Sequence, residues 1–216
     1  MTRIIADISV SLDGFVAGPD PDPDNGLGAG GEALHTWAFS DDPDDRRILR
    51  EATARSGAVV LGRRLFDVVD GPKGWNDDSG YGAGEVGKPA FVVVTSTPPE
   101  SVRLTDLDWT FVTSGLPDAV AAARERAEAA SSQRGEELDV VIMGGGATIG
   151  SALDAGLVDV LTLHLAPVVL GAGTPLFTGG TRRTLVRRSV TATSTATHLT
   201  YDLVDDVAGR LGSAGV

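Results

Sequence analysis

The stretch Asp139 to Gly150, DVVIMGGGATIG, is suited to holding an anion. Asp139 to Met143 is a short apolar run bounded by breakers, which predicts a buried strand. Gly144, Gly145 and Gly146 follow it. Ala147 to Ala155 then has helical composition and stops at Gly156. A strand, a glycine turn and a helix present bare N–H groups at the positive end of a helix dipole, and only glycine lets a diphosphate come that close to the main chain. The bare-turn alternative, with no ligand, stays open. A second such junction is Ala58 to Leu61 followed by Gly62, Arg63, Arg64 and Leu65, where arginine forks suit phosphate oxygens and a surface arginine pair is the equal alternative. Thr95 and Ser96 end a third apolar run, PAFVVVT. Asp13, between the first strand and its loop, is the candidate for proton delivery or substrate orientation, although Asp-Gly is also a common turn pair.

The glycine turn is neither of two familiar phosphate loops. In G-x-G-x-x-G the last glycine would fall on Ile149. No Lys-Ser or Lys-Thr follows, so it is not a P-loop.

Composition narrows the choices. A chain of 216 residues with 42% hydrophobic residues is one globular domain, read as residues 1–205 with a C-terminal tail at 206–216. A net charge of −12 makes nucleic acid and anionic membranes poor partners. There are two lysines, Lys73 and Lys88, beside sixteen arginines, so a local anion site must use arginine or backbone amides. No cysteine is present, which excludes disulfides and thiol chemistry. His35, His164 and His198 show no metal-ligand spacing, and no metal is expected. No apolar run approaches a membrane span or a signal peptide, so a soluble cytoplasmic chain is expected.

Several elements must position these groups. Arg3 to Leu12 alternates as a strand, and Phe15 to Gly31 is a long glycine- and proline-rich loop. Gly30 to Phe39 puts Leu34 and Trp37 at helical spacing, with Trp37 turned inward. Asp41 to Arg55 is a helix whose acids crowd its start, read as a solvated face. Asp70 to Lys88 is a second loop whose Trp75 could stack on a planar ligand or plug the core edge. Leu116 to Ala130 is an amphipathic helix. Val158 to Leu170, Thr184 to Thr191 and Thr195 to Val204 are strands, with His164 structural. Helices between the early strands imply parallel crossovers, and the last strands should be antiparallel. Ligands would sit beyond the strand C-termini, where Gly62, Thr95 and Gly144 all lie.

RIIADISVSLDGFVAG (3–18), LGRRLF (61–66), VIMGGG (141–146) and PVVLGAGTPLF (167–177) together resemble the dihydrofolate-reductase-like superfamily, in particular the reductase domain of bacterial riboflavin biosynthesis. GGEALHTWAF (30–39) is similar to a stretch in a subgroup of stand-alone members. The resemblance spans residues 3 to 204. It implies an α/β fold with a mixed sheet, mostly parallel with antiparallel C-terminal strands and helices on both faces. It implies NADPH as hydride donor, a small-molecule substrate and often a homodimer. Gly62, Arg63, Arg64 and Leu65 would meet the phosphates or adenosine ribose, and Thr95 and Ser96 the 2′-phosphate. Met143, Gly144, Gly145, Gly146, Ala147, Thr148 and Ile149 would hold the diphosphate, and Ala17 would border the nicotinamide. Phe15, Trp37 and Trp75 would face the substrate. The expected activity is NADPH-dependent reduction of a small heterocyclic or ribosyl-amine substrate. A strict dihydrofolate reductase and a non-catalytic nucleotide- or flavin-binding protein are the alternatives. No single acid stands out on the first helix to support pterin protonation, which argues against the former.

Overall fold

The structure, a computed structural model, describes residues 1–83 and 87–204. The expected tail at 206–216 lies outside them. The strands are β1 (Ile4–Val10), β2 (Phe15–Ala17), β3 (Ser56–Gly62), β4 (Ala90–Val94), β5 (Asp108–Val112), β6 (Asp139–Gly144), β7 (Val160–Leu165), β8 (Thr174–Pro175), β9 (Leu185–Ala192) and β10 (Thr197–Leu203). The helices are a 3₁₀ helix (Gly31–Phe39), α1 (Pro43–Ala54), α2 (Arg63–Val69), α3 (Leu116–Arg134) and α4 (Gly146–Asp154).

Eight strands form one sheet in the order β5-β4-β3-β6-β1-β7-β10-β9. β5, β4, β3, β6, β1 and β7 pair in parallel, and β10 and β9 close the sheet antiparallel. The expected mixed sheet is thus the observed one. β2 and β8 make a separate two-stranded ribbon.

Alternation along the strands sends side chains to two faces. Ile4, Ala6, Ile8, Val60, Val140 and Ile142 pack beneath α3 and α4 on one face. Val59, Leu61, Phe91, Val93 and Val141 face the other way, against Phe66 of α2 and the aromatic rings of Trp109 and Phe111. Ala119, Val120, Ala123 and Ala127 are the buried stripe of α3, which ends at Gly135 in the left-handed conformation. α1 begins with Asp42 accepting from Asp44 N at 3.0 Å and with Pro43 in its first turn. β7 stops at Leu165, short of the expected Leu170, because Pro167 has no N–H for the ladder.

Candidate functional site

Because the central strands are parallel, their C-terminal ends share one edge. Ser11, Gly62, Thr95, Gly144 and Ala166 all lie there. The β2–β8 ribbon folds back onto it: a Cβ on Gly146 would meet Pro175 O at 2.6 Å and Val16 Cγ2 at 3.1 Å. The first loop, the glycine turn and the 166–177 loop therefore converge at the start of α4.

Gly144 takes φ +112, which side-chain-bearing residues rarely adopt, and the Gly144–Gly145 peptide is cis. Gly145 is the N-cap of α4. Thr148 N and Ile149 N both donate to Gly145 O, at 2.9 and 3.1 Å. The preceding N–H groups of a helix start have no intrahelical acceptor. A Cβ on Gly145 would meet nothing within 4 Å, so this main chain borders open space. Gly62 is pressed against the same turn: a Cβ there would lie 2.2 Å from Thr148 Oγ1. The two glycine junctions of the sequence are neighbours in space. Ala147 is exposed, Met143 half-buried, and Ile149 fully buried beneath the turn. The Ile149 side chain supports the turn from the core and does not reach the open side.

Arg63 and Arg64 diverge. Arg63 is held by Asp67 at 2.7 Å, by Thr97 O at 2.6 Å and, more loosely, by Thr95 Oγ1 at 3.4 Å. Arg64 is exposed and lines a cleft of about 650 Å³ along α4, with Gly146, Ala147, Ser151, Asp154 and Arg183. Asp154 accepts from Thr181 N in that cleft, and Arg183 donates to the carbonyl of Asp154. Thr95 is buried and donates to Thr97 O at 2.8 Å, while Ser96 is exposed. Leu65 packs at the edge of the α2 core.

Asp13 is exposed, yet its carboxylate accepts from Ser11 Oγ at 2.6 Å, Leu170 N at 3.1 Å and Gly171 N at 2.7 Å. The Ser11 bond, with the two amides, holds it below the ordinary carboxylate range. These bonds tie the first loop to the 167–171 loop through Asp13. Phe15 is half-buried and Ala17 buried in the β2–β8 ribbon. Trp37 is core: it is 6% exposed, its indole donates to Ser9 Oγ at 2.9 Å, and it stacks on His164 at 4.0 Å. Trp75 packs among Tyr81 and Phe91.

Sequence reasoning missed a polar chain on the face opposite α3 and α4. β1–β7 and β7–β10 registers place Ser9, His164 and His198 in one cross-strand row. Asp7 Oδ1 meets His164 Nε2 at 2.9 Å, His164 Nδ1 meets His198 Nδ1 at 2.6 Å, and His198 Nε2 meets Asp45 Oδ1 at 2.8 Å. Asp45, expected on a solvated face of α1, has 0% exposure, because it turns inward to His198, Ser40 Oγ at 2.6 Å and Thr195 Oγ1. Burial alone would raise Asp45, but these three donors outweigh it and bring it to about 2. Burial lowers His198, with the Asp45 bond opposing. Asp7 keeps 22% of its side chain exposed. His35 has a buried Nδ1 with no partner among the described residues, and burial, with the effect of His164, lowers it to about 4. Burial pushes Tyr81 up to about 12, and the Asp7 charge adds to that. The signal for this chain was the shared parity of Asp7, Ser9, His164 and His198 along paired strands.

A sequence model of the family described as RibD C-terminal domain matches residues 2–199. Comparison with curated proteins gives no match. A protein from Shewanella sp. PV-4, described as a riboflavin biosynthesis protein, superposes with a TM-score of 0.67 at 21% identity, over 94% of this chain and 100% of that one. A pyrimidine reductase-like protein from Corynebacterium diphtheriae gives 0.59 at 16% identity, over 95% and 93%. A dihydrofolate reductase from Enterococcus faecalis, complexed with NADP(H), gives 0.54 at 17% identity, over 94% and 97%. The chain spans 59% of the RibD of Acinetobacter baumannii. No helix among the described residues is long and apolar enough to cross a membrane. On the match over residues 2–199, the chain belongs to the RibD C-terminal domain family.

Proposed function

We propose that the protein is an NADPH-dependent reductase of a small heterocyclic or ribosyl-amine substrate. The observation that carries this reading is the open, side-chain-free backbone at Gly145, on a helix start where the strand C-termini meet. The residues fit a dinucleotide. Gly144 to Thr148 would hold the diphosphate with main-chain N–H groups, and Gly62 leaves no bulk between the two junctions. Arg63, bonded to Thr95 and Thr97, would stand beside the exposed Ser96 at the 2′-phosphate, and Arg64 would meet a phosphate from the cleft along α4. When bound, the nicotinamide supplies the hydride. The chain's part is to orient the acceptor carbon, exclude water and bring a proton. The NADP(H) complex of the Enterococcus faecalis enzyme and the reductase-like description of the Corynebacterium diphtheriae protein support the same reading. A strict folate reductase is less well supported: the buried acid of α1, Asp45, is engaged by three protein donors and has no room for a pterin.

Titrating tryptophan fluorescence with NADPH and NADH tests the cofactor. NADPH is expected to bind at least 10-fold tighter, with Arg63→Gln narrowing the gap. Gly145→Val adds bulk only to open space, so it should leave the fold intact and abolish binding. Normal binding by that variant sinks the proposal. A turnover screen of pterins, ribosylaminopyrimidines and small enones, followed by NADPH absorbance, then finds the substrate. We also propose a homodimer: edge strand β9 exposes Val186 at 49% and Val190 at 48%, and sedimentation equilibrium decides it.

A further inference from the structure

We propose that the buried pair His164–His198 shares one proton at neutral pH, that this proton latches α1 to the sheet, and that its loss at alkaline pH releases the helix. The latch joins β1 to α1 and does not depend on the reductase reading.

Three contacts join Asp7, His164, His198 and Asp45 in a row, at 2.9, 2.6 and 2.8 Å. Each needs one hydrogen between its two atoms, because facing lone pairs at these distances repel. Two neutral imidazoles carry one ring hydrogen each, which leaves one contact without any. The missing hydrogen goes to the rings and not to a carboxylate, since an imidazole is ordinarily about 100-fold or more the stronger base. Each Nε2–H then donates to the carboxylate beyond it, and a single proton lies between the two Nδ1 atoms. Asp45 suits the part of ionised acceptor, because Ser40 Oγ and Thr195 Oγ1 also donate to it. Trp37 stacks on His164 at 4.0 Å, and the face of an indole favours a cation.

The titratable and charged groups around the pair are Asp7 from β1, Asp45 from α1 and His35 from the 3₁₀ helix, with Tyr81 of the 70–83 loop near Asp7. His35, lowered to about 4 by burial and by His164, is neutral at pH 7. No arginine or lysine bonds to the pair among the described residues. Two carboxylates therefore attract a first proton. A second is refused: burial lowers His198, the Asp45 bond opposes this, and His164 lowers it again. The seat of α1 depends on the outcome. Among the described residues of α1 only Asp45 is buried. The N-cap, Asp42, adds two exposed bonds, accepting from Ser194 N at 3.2 Å and Ser194 Oγ at 3.0 Å. The ladders fix β1, β7 and β10 against one another, so these strands cannot part when the shared proton leaves. The two Nδ1 lone pairs then face each other, the His198 ring turns to relieve them, and its Nε2–H leaves Asp45. A buried carboxylate that loses such a donor is driven towards water, and α1 moves with it. The sign follows from the folded state holding the proton more tightly than a free imidazole, ordinarily 6.5. This stabilisation is complete below pH 6.5 and disappears as pH climbs through the pair's own value.

The full chain contains three histidines, so ¹⁵N-histidine NMR of the intact protein, without cofactor or substrate, counts the ring hydrogens. At pH 7 the pair is expected to show three: one on each Nε2 and one divided between the two Nδ1 atoms. Raising the pH should remove one of them in a single step above pH 7. Across that step the hydrogen-exchange protection of α1 should fall about 10-fold relative to that of β3, which is buried along its whole length. His198→Asn presents an amide N–H to His164 that needs no added proton, so α1 protection in this variant should no longer vary with pH over the same range. Only two ring hydrogens on the pair at pH 7 overturn the proposal, whatever the state of the carboxylates. So does a step that leaves the protection of α1 unchanged, or a His198→Asn variant that keeps the alkaline loss. These measurements are separate from the reductase reading, which fails instead if Gly145→Val binds NADPH normally.

Discussion

Replacing Gly62 with alanine tests how closely the two glycine junctions are pressed together. Gly62 has φ −77 and ψ 156, a conformation open to any residue, so the cost is steric. The added Cβ would sit 2.2 Å from Thr148 Oγ1 but 3.5 Å from Thr148 Cβ. A non-bonded pair prefers about 3.5 Å, so the hydroxyl must retreat by roughly 1 Å, by rotation of Thr148 or by movement of α4. Overpacking of this kind costs about 1–3 kcal/mol. For a chain of this size that is a fall in Tm of roughly 3–10 °C. Thr148→Ala deletes the clashing atom and leaves an ordinary contact, so the double variant should recover most of the loss. Urea denaturation of the four proteins gives the coupling, expected at about 1 kcal/mol or more. NADPH affinity should follow it, falling in Gly62→Ala and returning in the double variant, because the same displacement moves the first turn of α4. Strictly additive effects of the two substitutions, or no loss in Gly62→Ala, would refute the reasoning.

Three further outcomes are expected. Asp45 lies at about 2 in the folded protein against an ordinary 3.8. Its folded value is the lower one, so the stability it contributes is present above pH 4 and lost as pH falls towards 2; on the order of 2 kcal/mol is at stake, and acid denaturation of Asp45→Asn should lack that dependence. Asp139, with 2% side-chain exposure between Arg3 at 2.9 Å and Arg55 at 3.0 Å, anchors the start of β6. Asp139→Asn should cost about 2–3 kcal/mol in urea, with NADPH binding to the remaining folded fraction unchanged. Asp13→Ala frees the amides of Leu170 and Gly171, so hydrogen exchange should quicken at 167–173 while global stability changes by about 1 kcal/mol or less.

The parallel core was legible because each of its strands is a short apolar run followed by a glycine, a threonine or a polar turn. Gly62, Thr95 and Gly144 could be placed at one edge on that pattern alone. The side chains around that edge were less legible. Arg63 and Arg64 are adjacent in sequence, yet one is fixed by Asp67 and Thr97 and the other lines the cleft. Helix geometry sends neighbours in different directions, and only the surroundings decide which is tied. Trp37 is identifiable as an inward residue from its spacing with Leu34, but not as the cover of a histidine pair. Asp45 was hidden by its neighbours: among Asp41, Asp42, Asp44 and Asp45, composition gives no reason to single out the one that turns toward β10. His164 and His198 stand 34 residues apart, and no local spacing rule can join them. Their relation needs the antiparallel register of β7 and β10.

Two networks hold their carboxylates in different ways. Asp139 accepts from Arg3 and Arg55, which are permanent cations, so its charge is compensated at every working pH. Its burial alone would raise it, but the arginine bonds outweigh that and lower it. It lies at the N-terminal end of β6, away from the glycine turn, and holds strand ends together. Asp7 and Asp45 have no such cation. They are linked instead through two imidazoles, His164 and His198. A core that needed only cohesion would gain more from apolar side chains at these four positions than from two acids and two imidazoles, since buried ionisable networks rarely repay their desolvation.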